Sequence, residues 1–361
     1  MLEIHFIDSE RGQVQYKNLL QDLQCTEPHY IADYIQIFAH GIQNLICFSY
    51  TGSSGRIIMP GYLNKITIDG VDREYYDFST PYGYTGPLTS KNITEDDVRD
   101  FWAAVDKWYQ SNNVVSEFIR FNLFGNHFNY SGEVHTTMLN IKGIILNDEV
   151  EQWSAFDRKV RKNYNKAQRE GLTSQLFYGD IPMNKIEEFY HIYIDTMERT
   201  NANAQFFYSL EQFVKFINSN KEYAAVCTVY DEEVPVSSEL LLVSQDSIFS
   251  FLGGTLEGYF DKRPNDFLKV EALNWARSQG KKYYILGGGY GYEDGIFKYK
   301  KAFFPNDVVS YYTGRKIIDQ AAYDLLVEKV SDSRVAKGQE EIFKEDTSFF
   351  PLYRMPEKRI E

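Results

Sequence analysis

Apolar and polar positions alternate with two periods along this chain, and the order in which the periods recur predicts its organisation. EIHFI (3–7) opens as a strand, and GQVQYKNLLQDL (12–23) spaces its apolar residues as a helix does. Residues 42–66, IQNLICFSYTGSSGRIIMPGYLNKI, read as hairpin strands around a Gly/Ser turn. Residues 96–112 then place Val98, Phe101, Trp102, Val105 and Trp108 on one helical stripe, with Asn112 and Asn113 as a stop. VVSEFIRFNLF (114–124) returns to a strand. The second half repeats this order. Residues 221–254 alternate as a strand meander with turns at Asp231-Glu232-Glu233 and Gln245-Asp246. NDFLKVEALNWARSQG (265–280) is a helix closed by Gly280, and KKYYILGGG (281–289) is a strand running into a glycine loop. A meander, a helix and a strand thus occur twice, around 41–124 and 221–289, which predicts a duplicated α/β unit.

Between the repeats lie three further helical segments: the basic run 153–172, then 185–200 and 209–219. Beyond residue 308 a strand-like VVSYYTG precedes a helix over 319–331.

The length of 361 residues fits two domains, large enough to need no covalent staples. Cys25, Cys47 and Cys227 are scattered, odd in number and without metal-ligand spacing, as in a reducing compartment. The N-terminal residues lack a basic start and a signal-length apolar stretch, and no window approaches a membrane span. The expected location is therefore cytoplasmic. A net charge of −13 gives no global attraction for nucleic acid or anionic lipid, so DNA is not an expected partner. Tyrosine (28) and phenylalanine (26) are abundant enough to allow a cleft walled by hydroxyl-tipped rings, suited to sugars or peptides.

Common catalytic signatures are missing: there is no HExxH, GxSxG, GxxxxGK[ST] or CxxC. The six histidines form no ligand set, and no metal is expected. Three segments could carry chemistry. LGGGYG (286–291) is either a plain reversal or a place where substrate approaches the backbone closely, with Gly288 at its centre. Arg158, Lys159, Arg161, Lys162, Lys166 and Arg169 make either a solvated helix face or a phosphate dock. GIFKYKKAFF (295–304) reads as a half-buried strand with a wet face, or as an ammonium held in an apolar cleft. Glu239, inside SSELLLV, is a candidate base or a strand carboxylate facing solvent, and Asp294 is a second candidate base.

Four stretches together resemble the Fem branch of the GNAT acyltransferase superfamily, the peptidoglycan bridge aminoacyltransferases and related N-acyltransferases. They are DFSTPYGYTGPL (77–88), VRKNYNKAQREGL (160–172), RPNDFLKVEALNWARSQGKKYYILGGG (263–289) and GIFKYKKAF (295–303), spanning roughly residues 75–310. The resemblance implies a mixed α/β (α+β) fold of two GNAT-like lobes, each a mixed sheet flanked by helices, with a cleft between them. The first lobe would comprise 1–150 plus a returning tail, 309–361, and the second, with the catalytic and donor site, 151–308. It implies transfer of an aminoacyl group from charged tRNA to an amine of a cell-wall precursor, with no resident cofactor. Lys300 would stabilise the oxyanion, Arg161 and Lys166 would face phosphates, and Tyr82 and Tyr84 would line the acceptor cleft. Tyr299 stands at the family's phenylalanine position beside Lys300. Arg263, Asn265, Gly288 and Tyr299 complete the expected substrate contacts.

Two departures matter. No heptad segment matches the long coiled-coil arm of bridge enzymes that act on lipid-linked precursor. The coenzyme A pattern, Gln/Arg-x-x-Gly-x-Gly/Ala, is replaced by Asp-Lys-Arg-Pro-Asn-Asp (261–266), without its glycines. Three functions remain open: aminoacyl transfer, acyl-CoA- or acyl-carrier-dependent N-acylation of an amino sugar or amino acid, and a non-catalytic binding module. Oligomeric state is not legible.

Overall fold

A computed structural model describes residues 1–343 and 346–356, which form two compact units. The first holds residues 1–25, 29–137 and 311 onward; the second holds 26–28 and 138–310. In chain order the first unit begins with β1 (Leu2–Phe6), α1 (Glu10–Asp22), α2 (Ala32–Phe38), β2 (Leu45–Thr51) and β3 (Arg56–Ile66). It continues with β4 (Tyr75–Ser79), β5 (Leu88–Thr89), α3 (Glu95–Ser111) and β6 (Val114–Arg120). Strand β7 (Glu133–Ile144) carries the chain into the second unit. There follow α4 (Glu149–Ala155), α5 (Arg158–Arg169), β8 (Leu172–Tyr178), α6 (Met183–Arg199), α7 (Leu210–Ser219), β9 (Ala224–Asp231), β10 (Val234–Val243) and β11 (Ser247–Thr255). α8 (Pro264–Ser278), β12 (Tyr283–Gly287) and α9 (Gly295–Lys301) complete it. Strand β13 (Val308–Ile317) leads back to the first unit, which ends with α10 (Gln320–Ala336) and the residues after it.

The duplication is visible in strand pairing. In the first unit β1, β2, β3 and β4 pair antiparallel in turn, and β6 joins β4 in parallel after the crossover helix α3. In the second unit β8, β9, β10 and β11 pair antiparallel in turn, and β12 joins β11 in parallel after α8. A sixth strand pairs antiparallel with each crossover strand, β13 with β6 and β7 with β12. A parallel pair needs a long connection, and the amphipathic helices α3 and α8 supply it. The molecule therefore has a mixed α/β fold of tandem, similarly wired units.

Helix α3 shows why the pattern was readable. Thr94 caps it through the Asp97 N–H, and Glu95, Asp96 and Asp97 place negative charge in its first turn. Val98, Phe101, Trp102 and Val105 bury against Ile46, Phe48, Met59, Phe78 and Ile119. The stripe ends on buried Tyr109 rather than Trp108, which is only partly covered. Tyr109 can be buried because its hydroxyl donates to Glu117 at 2.5 Å. In the second unit α8 buries Phe267, Leu268, Val270, Leu273 and Ala276, together with two charged residues, Asp266 and Lys269.

Candidate functional site

The two charges buried on α8 need partners, and the sheet supplies one of them. Lys269 Nζ lies 2.5 Å from Glu239 Oε1, with both side chains under one-tenth exposed. Ser250 Oγ donates to the same carboxylate oxygen at 2.5 Å, Lys269 donates to Ser250 Oγ at 2.7 Å, and the Tyr284 hydroxyl reaches Glu239 Oε2 at 3.4 Å. Glu239 does not face solvent. Strand β10 is central, between β9 and β11, and both α6 and α8 pack against it. Its carboxylate is thus taken by three donors, an arrangement suited to holding α8 on the sheet.

The parallel pairing of β11 with β12 is short, from Ser247–Tyr283 to Phe249–Ile285. Beyond it β11 pairs only with β10, as far as Thr255, while β12 turns into the glycine loop. Gly288 has a steric reason to be glycine. A Cβ there would lie 2.8 Å from Met138 Sδ and 2.9 Å from the Leu139 carbonyl oxygen. The loop is held by Asp294, which caps α9 through the Phe297 N–H (2.7 Å) and also accepts from the N–H groups of Tyr290 (2.6 Å) and Gly291 (3.1 Å). These bonds hold its carboxyl below the ordinary aspartate range. A carboxylate so committed is a weaker proton acceptor than a free one, and the contacts of Asp294, the second candidate base, are those of a loop clasp.

The segment 295–304 is not a strand. Residues Gly295–Lys301 form α9, so Lys298 and Lys300 are not placed on one face as strand alternation would place them. Lys298 is exposed, whereas Lys300 turns inward and its Nζ donates to the Gly288 carbonyl at 2.6 Å. Burial lowers the Lys300 pKa to about 8; the Lys269 charge adds to this, while Glu239 and Asp294 oppose it. The geometry therefore brings Lys300, Gly288 and Asp294 together, within the electrostatic reach of Lys269 and Glu239. Tyr299 lies beside them, edge-on to Phe303 with ring centroids 5.3 Å apart. Its buried hydroxyl has no hydrogen-bond partner among the described residues. Burial raises its pKa well above the usual value, and the charges of Asp266 and Glu239 act in the same direction.

An unpartnered buried hydroxyl is costly, which yields a test. Tyr299→Phe is expected to leave stability unchanged or raise it by about 1 kcal/mol, measured by urea unfolding. A rate loss in that variant would place the hydroxyl on substrate; a stability loss would mean that the hydroxyl has a partner.

The start of α8 is unlike a phosphate cradle. Arg263 caps it in the left-handed region (φ +66°), and Pro264 removes one N–H. Asp266 is buried in the first turn and accepts from Asn163 Nδ2 of α5 at 3.0 Å. Burial raises the Asp266 pKa, against the opposing effects of Asn163, Arg263 and Lys159. Asn265 is half-buried and Arg263 exposed. Helix α5 packs on α8, with Tyr164 stacked on Phe267 (centroids 5.1 Å apart) and its hydroxyl donating to Glu271 at 2.7 Å. Arg161 does not project as a free cation. Its Nη1 donates to the Ser154 carbonyl at 2.8 Å and the Trp153 carbonyl at 3.3 Å, closing the end of α4. Lys166 is half-buried, while Arg158, Lys159, Lys162 and Arg169 are exposed. Tyr82 and Tyr84 belong to the first unit, where Tyr82 is 52% exposed and Tyr84 packs edge-on against His29 and Tyr311.

Sequence reasoning missed Lys269, Ser250, Tyr284, Asp266 and Asn163. The available signal was Asp266 and Lys269, three residues apart on the otherwise apolar stripe of α8.

Residues 156–301 match the family model of the acetyltransferase (GNAT) domain. A comparison with curated proteins finds no match. Among solved structures the chain is similar to FemX, at 11% identity over 90% of this chain and 99% of that one, with a TM-score of 0.59. It is also similar to the C-terminal domain of a putative lysylphosphatidylglycerol synthetase from Agrobacterium fabrum, at 11% identity over 89% and 96% (TM-score 0.55). A conserved protein of unknown function from Bacteroides thetaiotaomicron matches at 10% identity over 87% and 99% (TM-score 0.53). Residues 156–301, within the second unit, thus match the GNAT domain model, and the chain shares the fold of FemX and of the synthetase domain. No helix among the described residues is long and apolar enough to cross a membrane.

Proposed function

We propose that this chain is a cytoplasmic acyltransferase that moves an aminoacyl group from a charged tRNA onto an amine of a cell-wall precursor. The observation that supports this reading is Lys300, a half-buried, poorly solvated ammonium donating to the glycine-loop carbonyl beyond β12, inside the GNAT segment. In the reaction the acceptor nitrogen attacks the ester carbonyl, forming a C–N bond and a tetrahedral oxyanion. The C–O bond to the leaving group then breaks as the amine proton passes to the departing oxygen. The enzyme must hold the two substrates and stabilise the oxyanion, and a poorly solvated ammonium does the second. Glu239 is engaged by Lys269, Ser250 and Tyr284, and Asp294 by three backbone N–H groups, so the reading uses neither as base.

The family description favours a second donor, acyl-CoA. The α8 start weighs against it. Pro264 offers no N–H, and the carboxylate of Asp266 occupies the first turn where pyrophosphate would sit. Acetyl-CoA is therefore expected to bind with a Kd above about 1 μM by calorimetry, while charged tRNA is consumed in the presence of an amine panel. A tighter acetyl-CoA complex together with acetylation of an amine would replace the first donor by the second. If neither donor is consumed, the chain is a binding module on the transferase fold.

A further inference from the structure

A second polar site lies wholly within the first unit, where β4 and β6 run parallel and the segments that follow them converge. Arg120 ends β6. Its backbone N–H donates to Thr80 Oγ1 and its Nη1 to the Thr80 carbonyl, each at 2.8 Å. The guanidinium lies over the Phe118 ring, 4.8 Å from the centroid. Among the described residues no carboxylate pairs with it, and its Nε–Nη2 edge has no protein acceptor. Its electrostatic neighbours are the hydroxyls of Tyr311, Tyr82, Tyr62 and Tyr34. Burial presses on its charged form.

The surroundings are fixed in place. Gly83 has φ +107°, and a Cβ there would come within 2.5 Å of His29 Cδ2 and 2.8 Å of the Tyr34 hydroxyl. The Tyr311 hydroxyl donates to the Gly83 carbonyl at 3.3 Å. Tyr62 spends its hydroxyl proton at the end of α2, on the carbonyls of Ala39 and Gly41. His29 is buried and held neutral, its pKa lowered to about 3 by desolvation. The positive charge here is therefore that of Arg120, set in aromatic walls with half-exposed Tyr82 at the rim.

We propose that Arg120 and its tyrosine walls form a carboxylate-binding site that takes the free carboxyl end of a peptide or amino acid. One guanidinium edge matches one planar carboxylate through two parallel N–H···O bonds. A phosphate dianion would call for a second cation, and the neutral hydroxyls around Arg120 do not supply one. Tyrosine rings give the rest of such a ligand apolar contact with polar tips. Calling this ligand the acceptor of the transfer reaction rests on the proposed function; the binding itself does not.

The test is calorimetry on the full chain without any acyl donor, using L-alanyl-L-alanine, its C-terminal amide, and inorganic phosphate. The dipeptide acid is expected to bind about 10- to 100-fold more tightly than the amide, the range for a lost charged hydrogen-bond partner. Arg120→Gln should reduce the acid to the affinity of the amide, with Arg120→Lys intermediate, because one ammonium cannot reproduce the two-bond fork. The acid-versus-amide comparison on the unaltered protein stands even if a variant fails to fold. Equal affinity for acid and amide, no binding of the acid, or phosphate displacing the acid at lower concentration would each overturn the site. Donor consumption is measured separately. Acid preference without any donor consumed sinks the transferase reading and keeps the site, and turnover without acid preference does the reverse.

Discussion

Lys300→Met is expected to lower turnover about 10²- to 10³-fold, the loss typical of removing one oxyanion donor. An ammonium about 4 Å from an oxyanion, at an effective dielectric near 20, contributes roughly 4 kcal/mol before solvation and geometry reduce it. The same change should not destabilise the protein. The folded pKa of Lys300 is about 8, below the ordinary 10.5, so between those values the unfolded chain binds more protons and stability rises with pH. Below pH 8 the full cost of the poorly solvated charge is present, and methionine removes it while keeping the packing of the stem. Denaturant unfolding should therefore show the variant at least as stable as the parent at pH 7, the difference shrinking toward pH 10.5. In the parent enzyme the rate should fall as pH rises through about 8, as the ammonium is lost. Lys298→Met is the control, because Lys298 is exposed on the same helix. If both variants lose rate equally, general electrostatics explains the effect; if neither does in an active enzyme, Lys300 has no part in the chemistry.

The duplicated order of elements was legible because each meander, crossover helix and returning strand shows its own period in the apolar residues. The stripe on α3 and the stop at Gly280 are of this kind. The site was less legible, for identifiable reasons. GIFKYKKAFF alternates aromatics with lysines, and that pattern fits a strand as well as one short helix. What decided for the helix was a cap, Asp294 accepting from the Phe297 N–H, and a cap three residues from its partner leaves no mark on periodicity. Glu239 was misjudged because strand alternation reports burial only when one face is wet. With α6 and α8 both packed on β10, a buried carboxylate there looks the same in sequence as an exposed one. Its partner Lys269 is 30 residues away, a distance that only the crossover of α8 closes. Arg161 sat on a basic stripe, yet its role is decided by the carbonyls at the end of α4.

That buried pair gives the largest expected effect on stability. Lys269→Met leaves the Glu239 carboxylate inside the unit with its countercharge gone, and Glu239→Gln leaves the Lys269 ammonium in the same state. Breaking a buried pair from one side costs about 3–5 kcal/mol, whereas replacing both partners is often neutral or stabilising. Each single variant should therefore melt on the order of 10 °C lower, and the double variant should recover most of that loss. A double-mutant cycle read by urea unfolding should give a coupling above about 2 kcal/mol. The pair also has opposite electrostatic effects on Lys300: Lys269 pushes its pKa down and Glu239 pulls it up. Lys269→Met should consequently move the alkaline fall in rate to higher pH, and Glu239→Gln should move it to lower pH. These opposed shifts separate a positioning pair from a catalytic base. A base at Glu239 would make Glu239→Gln lose rate at every pH with stability intact, and that result would return Glu239 to the chemistry.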